Sequence, residues 1–255
     1  MSNNRDTDSD WKRIAADDPF WGVLSKDEYK KDAMDDKAYM AFMESGERYV
    51  ANLFSLIHKH LLPNFAPKRV LDFGCGVGRL LIPFATRTPD AVGLDVAPVM
   101  LDLCNAYAKK AGLKNVITCE SDDMLSRVEG AFDFINSYIV LQHIPPHRGY
   151  QILQVLLKKL LVGGVGSIQI TYAKSRRFFL HEQGRARFYR RDGGSIFDIL
   201  DTNSLPPEGT VSMFDYDLNQ VMAIISQASG HPLIVLPTDD DDHLGVHFIF
   251  VKARD

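Results

Sequence analysis

The sequence predicts an α/β protein with a three-layer, Rossmann-like, mostly parallel sheet, and three observations carry that expectation. From Lys68 onward short apolar strands alternate with helical stretches, the order in which right-handed crossovers build a parallel sheet covered on both faces. The first strand runs straight into three glycines at alternate positions, in VLDFGCGVGRL. The last two strands, PLIVLP and GVHFIFVKA, are separated only by TDDDDHL. No crossover helix fits there, so they must pair as an antiparallel hairpin.

Each element follows from local pattern. Residues 1–10, MSNNRDTDSD, are polar and read as a disordered tail without the apolar core of a signal peptide. Residues 11–64 read as an N-terminal helical cap, since Tyr39, Phe42, Met43, Tyr49, Val50, Leu53, Phe54 and Ile57 fall largely at three- and four-residue spacings. Pro63 and Pro67 close that segment. The domain proper spans 65–255. Strand RVLDF leads to helix GRLLIPFATR, which tolerates Pro83 near its first turn. Strand AVGLDV leads to helix APVMLDLCNAYAKKAG, stopped by Gly112. Strand NVITCE precedes a helical turn over Met124 to Val128. Strand FDFINSYIV is followed by the periodic helix HRGYQILQVLLKKLLVGG and strand VGSIQITY. Residues 174–214 break the alternation and read as an insertion. Helix DLNQVMAIISQASG then precedes the hairpin.

Composition narrows the function classes. With 255 residues, 45% apolar and 24% charged, the chain can bury a sizeable core. A net charge of -4 argues against a nucleic-acid partner, which needs a basic face. No apolar run approaches the ~20 residues of a membrane span. Cys75, Cys104 and Cys119 form no CxxC pair, so neither a disulfide framework nor a zinc site is implied and a reduced, cytoplasmic setting is expected. The acidic run DDDDH reads as a solvated turn, and no metal site is expected.

The glycine loop carries the chemistry. In open α/β sheets ligands bind outside the strand ends where the strand order reverses. Gly74, Gly76 and Gly78 permit unusual φ values and leave no Cβ between backbone and ligand. Their GxGxG spacing departs from the dinucleotide GxGxxG, and Arg79 stands where that fingerprint needs its third glycine. Asp95 ends the second strand, placed either to accept both hydroxyls of a ribose or to cap the following helix. Asp122 and Asp123 follow the third strand, where one could accept from an adenine amino group or cap the following turn.

Taken together, VLDFGCGVGRL, VGLDVAPVML, SDDM and FDFINSYIVLQHIP resemble the class I S-adenosylmethionine-dependent methyltransferases over about residues 65–172. The resemblance implies a seven-stranded sheet in the order 3214576 with strand 7 antiparallel. It implies that Asp72, Gly74 and Gly76, with Cys75 between them, surround the methionine part of S-adenosyl-L-methionine. Asp95, followed by Val96, would hold the ribose. Asp122 would hold the adenine amino group, with the backbone at Asp123 or Met124 meeting a ring nitrogen. Ser137 would lie near the sulfonium. The rival readings are a nicotinamide-dependent oxidoreductase and a non-catalytic, cofactor-binding partner subunit.

Methyl transfer from a sulfonium is an in-line displacement at an activated carbon, so alignment and exclusion of water are the main tasks. A base is needed only for a protonated acceptor. His143, in LQHIPP after the fourth strand, is the candidate, with Tyr138, Tyr172 and His181 behind it. The Asp/Asn-Pro-Pro-Tyr motif of nucleobase and glutamine methylation is absent from NSYI, which favours a small-molecule acceptor methylated at oxygen or nitrogen. In KSRRFFLHEQGRARFYRR, residues 174–191, seven Lys or Arg face one Glu. That run is either a wall for an anionic acceptor or a solvated face. Trp11, Trp21, Tyr39, Phe42 and Tyr49 suit a lid or simple packing, and Arg48 could reach the cofactor's carboxylate.

Overall fold

A computed structural model describes residues 6–174, 187–189, 198–200, 211–240 and 243–254. Most of the expected insertion, including His181 and much of the arginine-rich run, lies outside the described residues. Within it, strands β6 (Arg187–Tyr189) and β7 (Asp198–Leu200) pair antiparallel.

The remaining strands form one seven-stranded sheet. They are β1 (Arg69–Phe73), β2 (Asp90–Asp95), β3 (Val116–Glu120), β4 (Phe132–Ser137), β5 (Leu160–Lys174), β8 (Ser229–Asp240) and β9 (His243–Lys252). The order is β3-β2-β1-β4-β5-β9-β8, with β9 antiparallel to both β5 and β8 and the β1 to β5 pairings parallel. Numbered within the sheet alone, this is 3214576 with strand 7 antiparallel, as expected.

The apolar strands bury both faces, as parallel sheets must. Val70, Phe134, Val165 and Ile249 meet Val50, Leu53, Phe54 and Ile57 of helix α3 (Asp36–His60). Their sequence neighbours Leu71, Ile135, Ile168 and Phe248 point the other way. There they meet Leu153 and Leu156 of α6 (Pro146–Lys159) and Val221 and Ile225 of α7 (Leu218–Ala228). Helix α4 (Leu81–Ala85) and helix α5 (Pro98–Lys110), which opens on a proline and ends before Gly112 at φ 73°, pack beside β2. Among the described residues no helix is long and apolar enough to cross a membrane.

Three local expectations are corrected. The polar N-terminus is helical from Thr7: α1 spans Thr7–Asp17, its N-cap Asp6 accepts from the Ser9 amide at 3.1 Å, and Asp8 and Asp10 lie in the positive first turn. The disordered-tail reading therefore fails for residues 7–10, while residues 1–5 lie outside the described residues. Helix α6 stops at Lys159 and the chain extends into β5, where the sequence suggests a helix continuing to the glycines at 163–164. Buried Lys252 of β9 donates to the carbonyls of Leu157 and Leu160 at 2.9 and 2.8 Å, ending the helix from a distant part of the chain. Finally, residues 124–128 form turns rather than a helical turn, with Leu125 at φ 49°.

Candidate active site

The site lies where β1 passes between β2, toward which the chain first winds, and β4, where it reverses. The glycine loop leaves β1 there. Gly74 and Cys75 donate to the carbonyl of Leu94 at 2.7 and 2.9 Å, and Gly76 donates to Asp95 Oδ2 at 2.9 Å. Asp95 Oδ1 accepts from Ala97 at 2.9 Å, so one carboxylate clips the loop to the start of α5. Gly74, Gly76 and Gly78 have φ of 76°, 52° and 91°, which explains the residue type. A Cβ on Gly74 would stand 2.4 Å from Val140, and one on Gly76 2.7 Å from Val23. The missing side chains thus make room for protein walls as well as for a ligand.

Those walls enclose a cavity of about 970 Å³, counted to its open mouth. Its lining brings together Asp72, Gly74, Cys75, Gly76, Asp95, Val96, Asp122, Asp123, Tyr138 and His143 from the sequence reading. Met124 and Ser137 do not line it. Met124 is largely exposed and gives its amide to Asp122 at 2.9 Å. Ser137 is fully buried, and its hydroxyl finds no partner among the described residues. Tyr172 packs against the main core, and Arg48 is exposed beside Glu44 at 3.6 Å. Phe42 is buried in an aromatic cluster with Phe20 and Tyr29 at 5.1 and 5.2 Å, and Tyr39 meets Tyr107 at 5.2 Å. Trp11 lines the cavity and Trp21 does not.

The two acids after β3 are already engaged. Asp122 accepts from the amides of Met124 and Ser126 and from the Ser126 hydroxyl, which holds its carboxyl below the usual range. Asp123 takes a two-point contact from Arg148 of α6 at 2.8 and 2.7 Å. Arg148 also grips Asp8 of α1 at 3.0 and 2.8 Å, fastening the first helix across the cavity wall. Trp11 on that helix meets His143 edge-on, ring centroids 4.7 Å apart.

Charge in the floor is unusual. Burial pushes the Asp72 carboxyl up to about 7, against the Asn136 amide, which donates at 2.8 Å, and the nearby Arg79 guanidinium. Arg79, which sequence reasoning treated only as a missing glycine, is itself buried and lines the cavity. Arg79 Nη1 donates to Ser45 Oγ at 3.4 Å, and its Nε has no partner among the described residues. The sequence signal was a lone arginine inside an apolar run. Behind Asp72 a buried polar row continues through Asn136 to Ser167 at 2.9 Å and His247 at 2.8 Å. These residues sit on successive strands, a proximity that linear spacing hides. Burial takes His247, like His143, down to about 4.

The fold and this site define a class of protein: an α/β fold whose glycine loop, at the reversal of strand order, faces a buried acid and a buried arginine. Residues 70–164 match the family model described as a methyltransferase domain. The chain is 32% identical over 134 residues to the trans-aconitate 2-methyltransferase of Methylobacterium radiotolerans, covering 52% of this chain and 47% of that protein. It is 31% identical over 83 residues to a ubiquinone biosynthesis O-methyltransferase of Chromobacterium violaceum, covering 32% and 36%. The chain thus spans less than half the length of these curated relatives. In fold it is similar to the magnesium protoporphyrin IX methyltransferase of Synechocystis with bound SAM, at TM-score 0.61 and 13% identity, over 99% of this chain and 100% of that one. Over residues 70–164, then, the chain is similar to methyltransferase domains.

Proposed function

We propose that this protein transfers a methyl group from S-adenosylmethionine to an oxygen or nitrogen of a small-molecule acceptor. The observation that carries this reading is the cavity at the β1 strand end, where the glycine loop, Asp72, Asp95 and a buried arginine whose Nε has no partner among the described residues converge. That constellation fits the cofactor. Arg79 offers a cation for its carboxylate, Asp72 an anion for its ammonium, and Asp95 keeps lone pairs for the ribose hydroxyls. Asp122, occupied by its own loop, contributes shape, and the backbone of Asp123 is left for the adenine edge. Arg79 takes the part for which Arg48 was considered.

When bound, the cofactor supplies an electrophilic methyl on a sulfonium. The chain's task is then to orient, to enclose and to exclude water. Trp11, Val23, Tyr138 and Val140 provide the enclosing walls. His143 faces the same cavity, but burial leaves it neutral and weakly basic, so it suits acceptors that bind already deprotonated. Carboxylates meet that condition at neutral pH, and trans-aconitate, in the name of one relative, is a polycarboxylate. An anionic acceptor would also suit the basic run 174–191. The three cysteines are free thiols, in keeping with a reducing, cytoplasmic setting.

The test is formation of S-adenosylhomocysteine over a panel of carboxylate, phenolate and amine acceptors. Turnover with carboxylates above the acceptor-free background is expected. Tight S-adenosylhomocysteine binding with no turnover on any acceptor would contradict catalysis and favour a non-catalytic subunit.

A further inference from the structure

Just after β4 the chain makes a turn that its residue type opposes. Ile139 has φ 60°, a left-handed backbone that a β-branched side chain strongly disfavours. Such strain persists only where surrounding groups enforce it. Here the enforcing group is Gln169 of β5, almost wholly buried, whose Oε1 accepts the Ile139 amide at 3.1 Å. Gln169 Nε2 faces Gln142 Oε1 at 3.4 Å, and Gln142 Nε2 faces His143 Nε2 at 3.4 Å. His143 Nδ1 faces the carbonyl of Ser212 at 3.0 Å. The middle links are long and the two ends short.

The ends fix the direction of every hydrogen. Ile139 supplies a backbone N–H, so Gln169 must turn its oxygen toward it and its NH₂ toward Gln142. Ser212 supplies a carbonyl, so His143 must carry its proton on Nδ1 and accept on Nε2. One tautomer and one orientation of each amide satisfy the whole chain. The ring's neutrality, enforced by burial, is what an accepting Nε2 requires.

We propose that Gln169 and Gln142 are positioning residues that hold the strained Ile139 turn at the cavity wall and, together with the Ser212 carbonyl, orient His143 as the Nδ1-protonated tautomer. The turn places Val140 against Gly74, so the relay sets the wall beside the cofactor loop. His143 then anchors the far end of this relay rather than removing a proton from the acceptor, because its only free lone pair is already used. This rests on the methyl-transfer reading of the cavity, which the tautomer itself does not depend on.

The experiment is long-range ¹H–¹⁵N NMR of [¹⁵N]histidine-labelled full-length protein, with His143→Gln used for assignment. In the unmodified protein His143 should show a single Nδ1–H tautomer between pH 6 and 8. An Nε2–H tautomer or an equal mixture would overturn the proposal, and this needs no variant. In Gln142→Met the Ser212 carbonyl should keep the Nδ1–H tautomer, but the His143 Nε2 resonance should move downfield as it loses its donor, while an unchanged Nε2 shift would remove Gln142 from the relay. In Gln169→Met, hydrogen exchange at the Ile139 amide should accelerate at least tenfold, and unchanged protection would remove Gln169 from the relay. S-adenosylhomocysteine titration in the same samples reads the functional assignment separately. Loss of binding with the tautomer intact would count against the methyltransferase reading alone.

Discussion

Arg79 and Asp72 are buried and feel each other's charge, but make no ion pair within 4 Å, an arrangement that costs stability unless a ligand completes it. Arg79→Met should therefore weaken S-adenosylhomocysteine binding by about ten- to a hundredfold, the loss of one charge-assisted contact, while leaving the melting temperature equal or higher. Calorimetry and a thermal scan on one sample check both directions. For Asp72 the folded carboxyl titrates near 7 against an ordinary value of 3.8. The folded state thus holds that proton more tightly than the unfolded one. Its contribution favours folding below pH 3.8 and is lost as pH rises through 7. Pairing with the cofactor's ammonium requires the charged form, so affinity should increase from pH 6 to 8. Asp72→Asn should flatten that rise and lower affinity. A pH-independent affinity in the unmodified protein would refute this role.

At the scale of elements, the strands explain most of what the sequence revealed. Phe134 of β4 is fully buried between Phe54, Phe84 and Phe65, with ring centroids at 5.7, 5.3 and 6.2 Å. Phe134→Ala should cost about 3–5 kcal/mol in denaturant unfolding. A loss below 1 kcal/mol would mean that this layer does not support the sheet. The succession of strands along the chain was legible because apolar runs, glycine stops and the short final hairpin are local features, while their order across the sheet came from the family resemblance. The end of α6 was not, since Lys252, which satisfies its last carbonyls, lies more than ninety residues further along. Nor was the order in residues 7–10 legible: local polarity hides the two-carboxylate grip of Arg148 on Asp8 and Asp123. The site shows the same division. Asp72 and the glycines could be named from one motif and Asp95 from a second, at the end of the next strand. Arg79 was visible but misread, and Gln169, Ser167 and His247 enter only through pairing across β4, β5 and β9.

For the molecule as a whole, buried His247 and half-buried His143 predict an acid weakness. His143 and His247 both titrate near 4 when folded and near 6.5 when unfolded. Their stabilising effect is complete above pH 6.5 and is lost as pH falls through 4, because the unfolded chain takes up protons that the folded one refuses. The melting temperature should drop across that window, and His247→Gln should make the drop shallower. Asp72 acts in the opposite sense over pH 4–7, so the double contrast with Asp72→Asn separates the two effects.

The central claim is that the β1 cavity is built for S-adenosylmethionine, and calorimetry with S-adenosylhomocysteine and NAD on the full chain tests it most directly. The account predicts saturable one-to-one binding of S-adenosylhomocysteine, weakened at least tenfold by Asp95→Ala, with no measurable binding of NAD. Tighter binding of NAD, or S-adenosylhomocysteine affinity untouched by both Asp95→Ala and Arg79→Met, would contradict it.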